Sequence, residues 1–152
     1  MRILILLSIT VTAALVHRVA AQTSVEVLEV SMRRTACLGR CPIYDLTLTR
    51  VGPATYNGVM LAARTGSYRA SVDSAAFARL AQLLVRGGFF SLDTAYDVPV
   101  TDMATTFLCI RTAAVTRCIR HYGHAGPRAL SSLEDSVDAF VTGLTWVRNE
   151  VR

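Results

Sequence analysis

Hydrophobic and polar positions alternate with a period of two over much of the first half of the chain. In 24–34, SVEVLEVSMRR, Val25 and Val27 alternate with Ser24 and Glu26 before the pattern slips at Leu28. In 43–51, IYDLTLTRV, Tyr44, Leu46 and Leu48 take one side, and Asp45, Thr47 and Thr49 the other. ATYNGVM (54–60) and SYRASV (67–72) read as two more strands, set off by the turn signals Gly52-Pro53 and Gly66. Successive side chains of a strand leave opposite faces, so this alternation predicts half-buried strands.

The spacing then turns helical. Asp73 or Ser74 can cap a helix that places Phe77, Leu80, Ala81 and Leu84 on one stripe and stops at Gly87. GGFFSLDTAYDVPVTD (87–102) reads as a loop with an aromatic plug, Phe89-Phe90. ATTFLCIRTA and VTRCIRHY read as the two strands of a hairpin. Pro127 sits in a first-turn position. Leu130, Leu133, Val137, Phe140, Leu144 and Val147 follow as the stripe of a final helix. The order βββ(β)αββα, with one apolar stripe per helix, predicts an α+β domain. Its antiparallel sheet has about five to six strands, and two amphipathic helices pack on one face.

The N-terminus follows another rule. Arg2 precedes an apolar run, Ile3 to Val16, interrupted only by Ser8, Thr10 and Thr12. Val19 and Ala21 fit the small-residue positions of a signal-peptidase site before Gln22. The run is shorter than the roughly 20 residues of a spanning helix. Residues 1–21 are therefore read as a signal peptide and 22–152 as a single domain. Removing 21 of the 152 residues leaves 131, enough for one core. The expected location is periplasmic or secreted, with nothing embedded in the membrane after cleavage. All 16 basic residues are Arg; without Arg2 and Arg18, 14 remain against 11 acidic residues, a net charge of +3. That mild excess, without a basic patch interleaved with aromatics, argues against nucleic-acid binding.

In an oxidising compartment Cys37, Cys41, Cys109 and Cys118 are read as disulfide partners, and four cysteines allow three pairings. If the hairpin is centred between Ala113 and Ala114, facing residues have numbers summing to 227, which sets Cys109 opposite Cys118. With a two-residue turn they form a non-hydrogen-bonded pair, whose Cα atoms stand about 4.5 Å apart, within disulfide range. Ala-Ala lacks the positive-φ residues such turns favour, and a four-residue loop is an alternative that keeps the two opposite. Leu108, Ile110 and Ile119 share the core face, so the bridge lies on the outer face. Cys37 then pairs with Cys41 around Gly39, while Pro42 fixes the exit into the next strand. A bridge from Cys37 or Cys41 to the hairpin is the competing arrangement.

Other chemistry finds less support. Cys118, His121 and His124 have ligand-like spacing, but Cys118 and His121 point to opposite faces of a strand, and no metal is expected. There is no G-x-S-x-G elbow and no HExxH, so no catalytic residue is assigned and no cofactor is implied. Asp93, Asp97 and Asp102 share a loop with Tyr96 and offer a cation or ligand site, though not with EF-hand spacing. Arg34 and Arg40 beside Cys37 and Cys41 would lower a thiol pKa if that pair were redox-active.

RTACLGRCPIYDLTL, the hairpin around TYNG, FFSLDTAY and a downstream TD together resemble a bacterial family, domain of unknown function 6438. Its C-x-G-x-C-P-x-Y hallmark falls on Cys37, Gly39, Cys41, Pro42 and Tyr44, and its Tyr and Asp fall on Tyr96 and Asp102. The likeness covers roughly residues 25–148. Cys109 and Cys118 lie outside the family pattern, which implies that Cys37–Cys41 is a self-contained pair with the hairpin bridge added. The resemblance brings no activity.

Two function classes follow from these observations. The first is a non-enzymatic, disulfide-stapled binding module of the envelope, whose partner is a protein, a glycan or a small ligand. Its candidate surface is Arg33, Arg34, Arg40, Tyr44, Tyr96 and Asp102. The second is a thiol-disulfide protein using Cys37 and Cys41.

Overall fold

A computed structural model describes residues 25–150; the signal-peptide reading of residues 1–21 falls outside them. The alternating segments become strands β1 (Val27–Arg34), β2 (Ile43–Thr49), β3 (Pro53–Met60) and β4 (Gly66–Ser71). Helix α1 (Ser74–Arg86) follows, then β5 (Ala95–Tyr96), β6 (Thr105–Thr112), β7 (Thr116–Tyr122), helix α2 (Arg128–Thr142) and β8 (Val147–Arg148). All eight strands belong to one sheet, ordered β5-β7-β6-β1-β2-β3-β4-β8. Every neighbouring pair is antiparallel except β5 beside β7.

The expected α+β class holds, but the sheet has eight strands rather than five or six. The two additions are edge strands of two residues each, too short to show a period. Ala95–Tyr96 lies in what reads as a loop. Val147 reads as the end of the last helical stripe, but α2 stops at Thr142 and Val147 is exposed on β8. Gly143 ends α2, and the chain turns back to pair Val147 with Arg69 on β4.

One face of the sheet carries the core. Val30, Met32, Leu46, Leu48, Leu108, Ile110 and Ile119 pack in one cluster with Phe77, Leu80 and Leu84 of α1 and Leu130, Leu133 and Val137 of α2. Side chains of this kind each contribute roughly 1.5–3 kcal/mol when fully buried. Asp73 caps α1 by accepting a hydrogen bond from Ala76 N at 2.8 Å. Gly87 closes the same helix where a Cβ would meet Leu133 Cδ2 at 2.5 Å, so its bare backbone lets α2 approach α1. The pattern slip at Leu28 is a β-bulge between Val27 and Glu29 in the pairing of β1 with β6.

Cys37 is bonded to Cys41 and Cys109 to Cys118, with Cα separations of 5.8 and 4.0 Å. Cys109 and Cys118 face each other in the β6–β7 register, on the outer face. The Ala113-Ala114 turn works without positive φ because Thr112 closes it. Its Oγ1 accepts from Ala114 N and Val115 N at 3.2 and 3.0 Å and donates to Val115 O, while Thr112 N donates to Val115 O at 2.8 Å.

Candidate functional site

The apolar parity of the sheet breaks at one end. Inward positions of β1 run Val30, Met32, Arg34; those of β6 run Ile110, Leu108, Thr106; those of β7 run Ile119, His121. The strand registers set Tyr44 opposite Arg34, Arg34 opposite Thr106 and Thr106 opposite His121. One row across four strands, β2-β1-β6-β7, is therefore polar on the core face. Helix α2 meets it with Glu134 and Asp138, four residues apart and so on one side of the helix.

These side chains form one network. Arg34 donates from Nε to Tyr44 Oη at 3.0 Å, from Nη1 to Thr106 Oγ1 at 3.2 Å and from Nη2 to Asp138 Oδ2 at 2.8 Å. Tyr44 Oη donates to the other Asp138 oxygen at 2.5 Å. Arg34 Nη2 stands 3.8 Å from Glu134 Oε2, and Glu134 Oε1 lies 2.8 Å from His121 Nδ1. Glu134 and His121 are 4 and 3 % exposed, so this carboxylate and imidazole are held out of water. Burial pushes the Glu134 pKa up, against the lowering pull of His121 and Arg34. Burial and the hydrogen bond to Asp138 push the Tyr44 pKa up. Burial works against the charge of Arg34, but Tyr44, Asp138 and Glu134 outweigh it and raise the guanidinium pKa.

Beside the network lies a cavity of about 330 Å³. Arg34, Thr106, His121 and Glu134 form its inner wall, and the Cys37–Cys41 loop and residues 102–104 line it as well. The loop is held in place by backbone. Thr35 N donates to Thr105 O at 3.0 Å, Thr105 N to Thr35 Oγ1 at 2.9 Å, and Leu38 N to Asp102 O at 2.9 Å. Asp102 reaches this position in the left-handed region, at φ 67°. The His121 ring lines the cavity and Nδ1 is held by Glu134, but Nε2 is closed to solvent and has no protein partner. A larger groove of about 610 Å³, beside Pro53, Ala70 and Gly143, is lined by no buried titratable side chain.

The structure divides the residues that sequence reading singles out. Arg34 and Tyr44 enter the network, and Cys37, Cys41 and Asp102 enter the cavity wall. Arg33 is on the opposite face of the sheet, 3.5 Å from Asp45 in an ion pair with both side chains more than half exposed. Arg40 is exposed on the loop. Tyr96 packs against Gly126, where a Cβ would meet its ring at 2.6 Å, and its hydroxyl accepts from Asp93 N at 2.9 Å. The proposed carboxylate cluster does not assemble: Asp97 takes both terminal nitrogens of Arg120, and the Asp102 side chain accepts from Thr101 Oγ1. Cys118 and His121 lie on opposite faces, as strand geometry requires. Among the described residues no three His, Cys, Asp or Glu side chains stand together to hold a metal.

Thr106, Glu134 and Asp138 are missed by sequence reading, and His121 is weighed there only as a metal ligand and set aside. The signal that finds them is polar side chains at inward positions: Arg34 after Val30 and Met32, His121 after Ile119, and two acids four apart beside an apolar stripe.

No curated protein matches this sequence. The model of a family described as a domain of unknown function (DUF6438) matches residues 28–141, from the bulge of β1 to the last turn of α2, and takes in every residue of the network and of the cavity wall. With a match over that much of its 152 residues, the chain belongs to the DUF6438 family.

Proposed function

We propose that this protein is an exported, disulfide-stapled binding module whose site is the cavity between the Cys37–Cys41 loop, residues 102–104 and α2. The observation that carries the reading is the inner wall of that cavity, which is of small-ligand size and where the buried, mutually paired Glu134 and His121 converge with Arg34 and Thr106. A concave site with a few convergent polar groups is the usual form of a small-ligand pocket. The rigid mounting agrees: two bridges, a docked loop and a helix tied to the sheet by Asp138 and Glu134 hold the wall in one arrangement. Export is supported by the N-terminal pattern and by four cysteines paired in two bridges.

A thermal-shift screen of small polar compounds of all three charge types, on the oxidised protein, tests the site. A ligand that binds only the native state raises stability in proportion to RT ln(1 + [L]/Kd). At least one charge type is expected to give a saturable shift that His121→Gln removes. A flat screen, or shifts that survive His121→Gln, sinks the assignment.

The second reading, a thiol-disulfide protein, is favoured by one observation: both sulfur-bearing residues of the 37–41 bridge line the cavity, beside Arg34. Equilibration with glutathione decides it. A potential below about −300 mV marks the bridge as structural and ends this reading.

A further inference from the structure

Arg34 and Pro42 line two cavities. The first meets α2 at Ser131, Glu134 and Asp135; the second, of about 420 Å³, meets it further along, at Asp138, Val141 and Thr142, and is closed on its other side by Tyr44, Tyr56 and the turn between β3 and β4. We infer that this second cavity is a separate binding site for a carboxylate group, received by the Arg64 guanidinium and the Tyr56 hydroxyl.

Four of the six polar side chains in this wall are engaged. Arg34 is held by Tyr44, Thr106 and Asp138, and Tyr44 donates to Asp138. Asp138, the one carboxylate lining the cavity, thus has a partner on each oxygen. Thr142 Oγ1 donates to the backbone oxygen of Asp138 at 2.9 Å. Arg64 and Tyr56 remain, and both are donors. The Arg64 guanidinium lies over the Trp146 ring, 5.9 Å from its centroid, and has no carboxylate partner among the described residues. Tyr56 is 4 % exposed. Burial raises its pKa against the lowering pull of Arg64, so the hydroxyl keeps its proton. No acceptor takes that proton among the described residues, and the oxygen, unlike His121 Nε2, is not sealed from solvent. Buried polar groups are almost always paired, so an open donor in a cavity wall marks where a bound acceptor completes the pairing. Charge points the same way. Arg34 and Arg64 against Asp138 leave the lining one positive charge in excess, with Glu134 beyond Arg34 in the first cavity. A planar carboxylate matches the guanidinium fork and accepts from the hydroxyl as well, whereas an ammonium meets donors and positive charge. Pro42, Ala63 and Val141 give apolar wall for a short carbon chain behind it. The receiving groups are firmly mounted. The Tyr56 ring stacks on Tyr44 with centroids 5.2 Å apart, and the Arg64 carbonyl packs so closely on Gly58 that a Cβ there would overlap it.

The test is titration of the oxidised, full-length mature protein, followed by the fluorescence of Trp146, the single Trp, on whose ring Arg64 rests. The probes are pentanoate, its neutral isostere pentanamide, pentylamine and inorganic phosphate. Pentanoate is expected to change the emission saturably, with the other three at least tenfold weaker. Arg64→Gln and Tyr56→Phe are each expected to weaken pentanoate about tenfold, the size of one hydrogen bond to a charged group, and Arg64→Lys to recover part of the loss. His121→Gln is expected to leave it unchanged. A response that Arg64→Gln removes and His121→Gln leaves belongs to this cavity, whatever the first one binds. N-acetyl-alanyl-alanine and its C-terminal amide identify the source: the peptide acid binding more tightly than pentanoate points to a chain terminus, and more weakly to a free acid, and either supports the site. Pentanamide or phosphate binding as tightly as pentanoate, and sensitive to Arg64→Gln, overturns the carboxylate. Pentanoate binding that neither Arg64→Gln nor Tyr56→Phe weakens, or no saturable change with pentanoate, overturns the site. Tyr56→Phe removes one oxygen from a packed ring, so it carries the test alone if Arg64→Gln does not fold.

Discussion

Replacing Arg34 by Met removes the hub of the buried network while keeping an apolar stem of similar length. Two hydrogen bonds to neutral oxygens are lost, to Tyr44 and Thr106, each contributing about 0.5–1.5 kcal/mol. The ion pair with Asp138 adds about 1 kcal/mol or less, because that carboxylate is 42 % exposed and screened by solvent. The largest share comes from Glu134, whose side chain is 5 % exposed and is left without its guanidinium. Removing one partner of a fully buried pair costs about 3–5 kcal/mol, and the 3.8 Å separation and the surviving contact with His121 bring this case well below that. The expected loss is about 4 kcal/mol in all, a large fraction of the stability of a domain this size. Urea unfolding with the disulfides intact measures it, followed by the fluorescence of the single Trp, Trp146, which packs against Tyr56. Adding Glu134→Gln to Arg34→Met should then recover about 1 kcal/mol, because no buried charge is left unpaired. A loss under 1 kcal/mol with an unchanged m-value, or a double variant weaker than Arg34→Met alone, refutes the claim that Arg34 holds a charged Glu134 in place.

Further expectations concern pH, the bridges and one close approach. Burial raises the Glu134 pKa above its ordinary 4.5, so the folded protein holds that proton more tightly than the unfolded chain. Its contribution is therefore greatest below 4.5 and declines as pH rises from there through the raised folded value; Glu134→Gln should flatten that part of a stability-versus-pH curve. Replacing Cys109 and Cys118 together by Ser should cost about 2–3 kcal/mol through the freed unfolded chain, read as a lower urea midpoint. Gly58→Ala should cost more than 2 kcal/mol, because the new Cβ overlaps the carbonyl oxygen of Arg64, a backbone atom with little freedom to yield. A thermal midpoint within 2 °C of wild type would show that this turn shifts freely.

Much of the scaffold is legible in the chain because its signals are local. Alternation finds the six long strands, and helical spacing finds both helices. The Cys109–Cys118 register follows from counting outward from a turn. What is not legible depends on neighbours distant in sequence. A two-residue strand has no period, and Ala95–Tyr96 and Val147–Arg148 exist only because β7 and β4 offer edges to pair with. Arg34 and Tyr44 stand out beside the cysteine loop, but as parts of a surface. Their inward direction follows from the parity of Met32 and Leu46, and their partners Asp138 and Glu134 lie about 100 residues along the chain. A row across four strands closed by a helix has no signature in any one segment. Arg33, one residue from Arg34, shows the reverse: adjacency in sequence puts it on the other side of the sheet.

The stub strands have a consequence for how this protein meets others. Open sheet edges are templates on which a foreign strand can extend the ladder. Here each end of the sheet is finished by a strand of two residues, β5 at one side and β8 at the other. Neither offers the run of unpaired backbone groups that strand addition requires. Backbone-to-backbone recruitment, which is indifferent to side-chain chemistry, is thus discouraged at both flanks. Recognition is left to shaped, chemically particular surfaces, and the same blunted flanks keep copies of the domain from stacking into fibres.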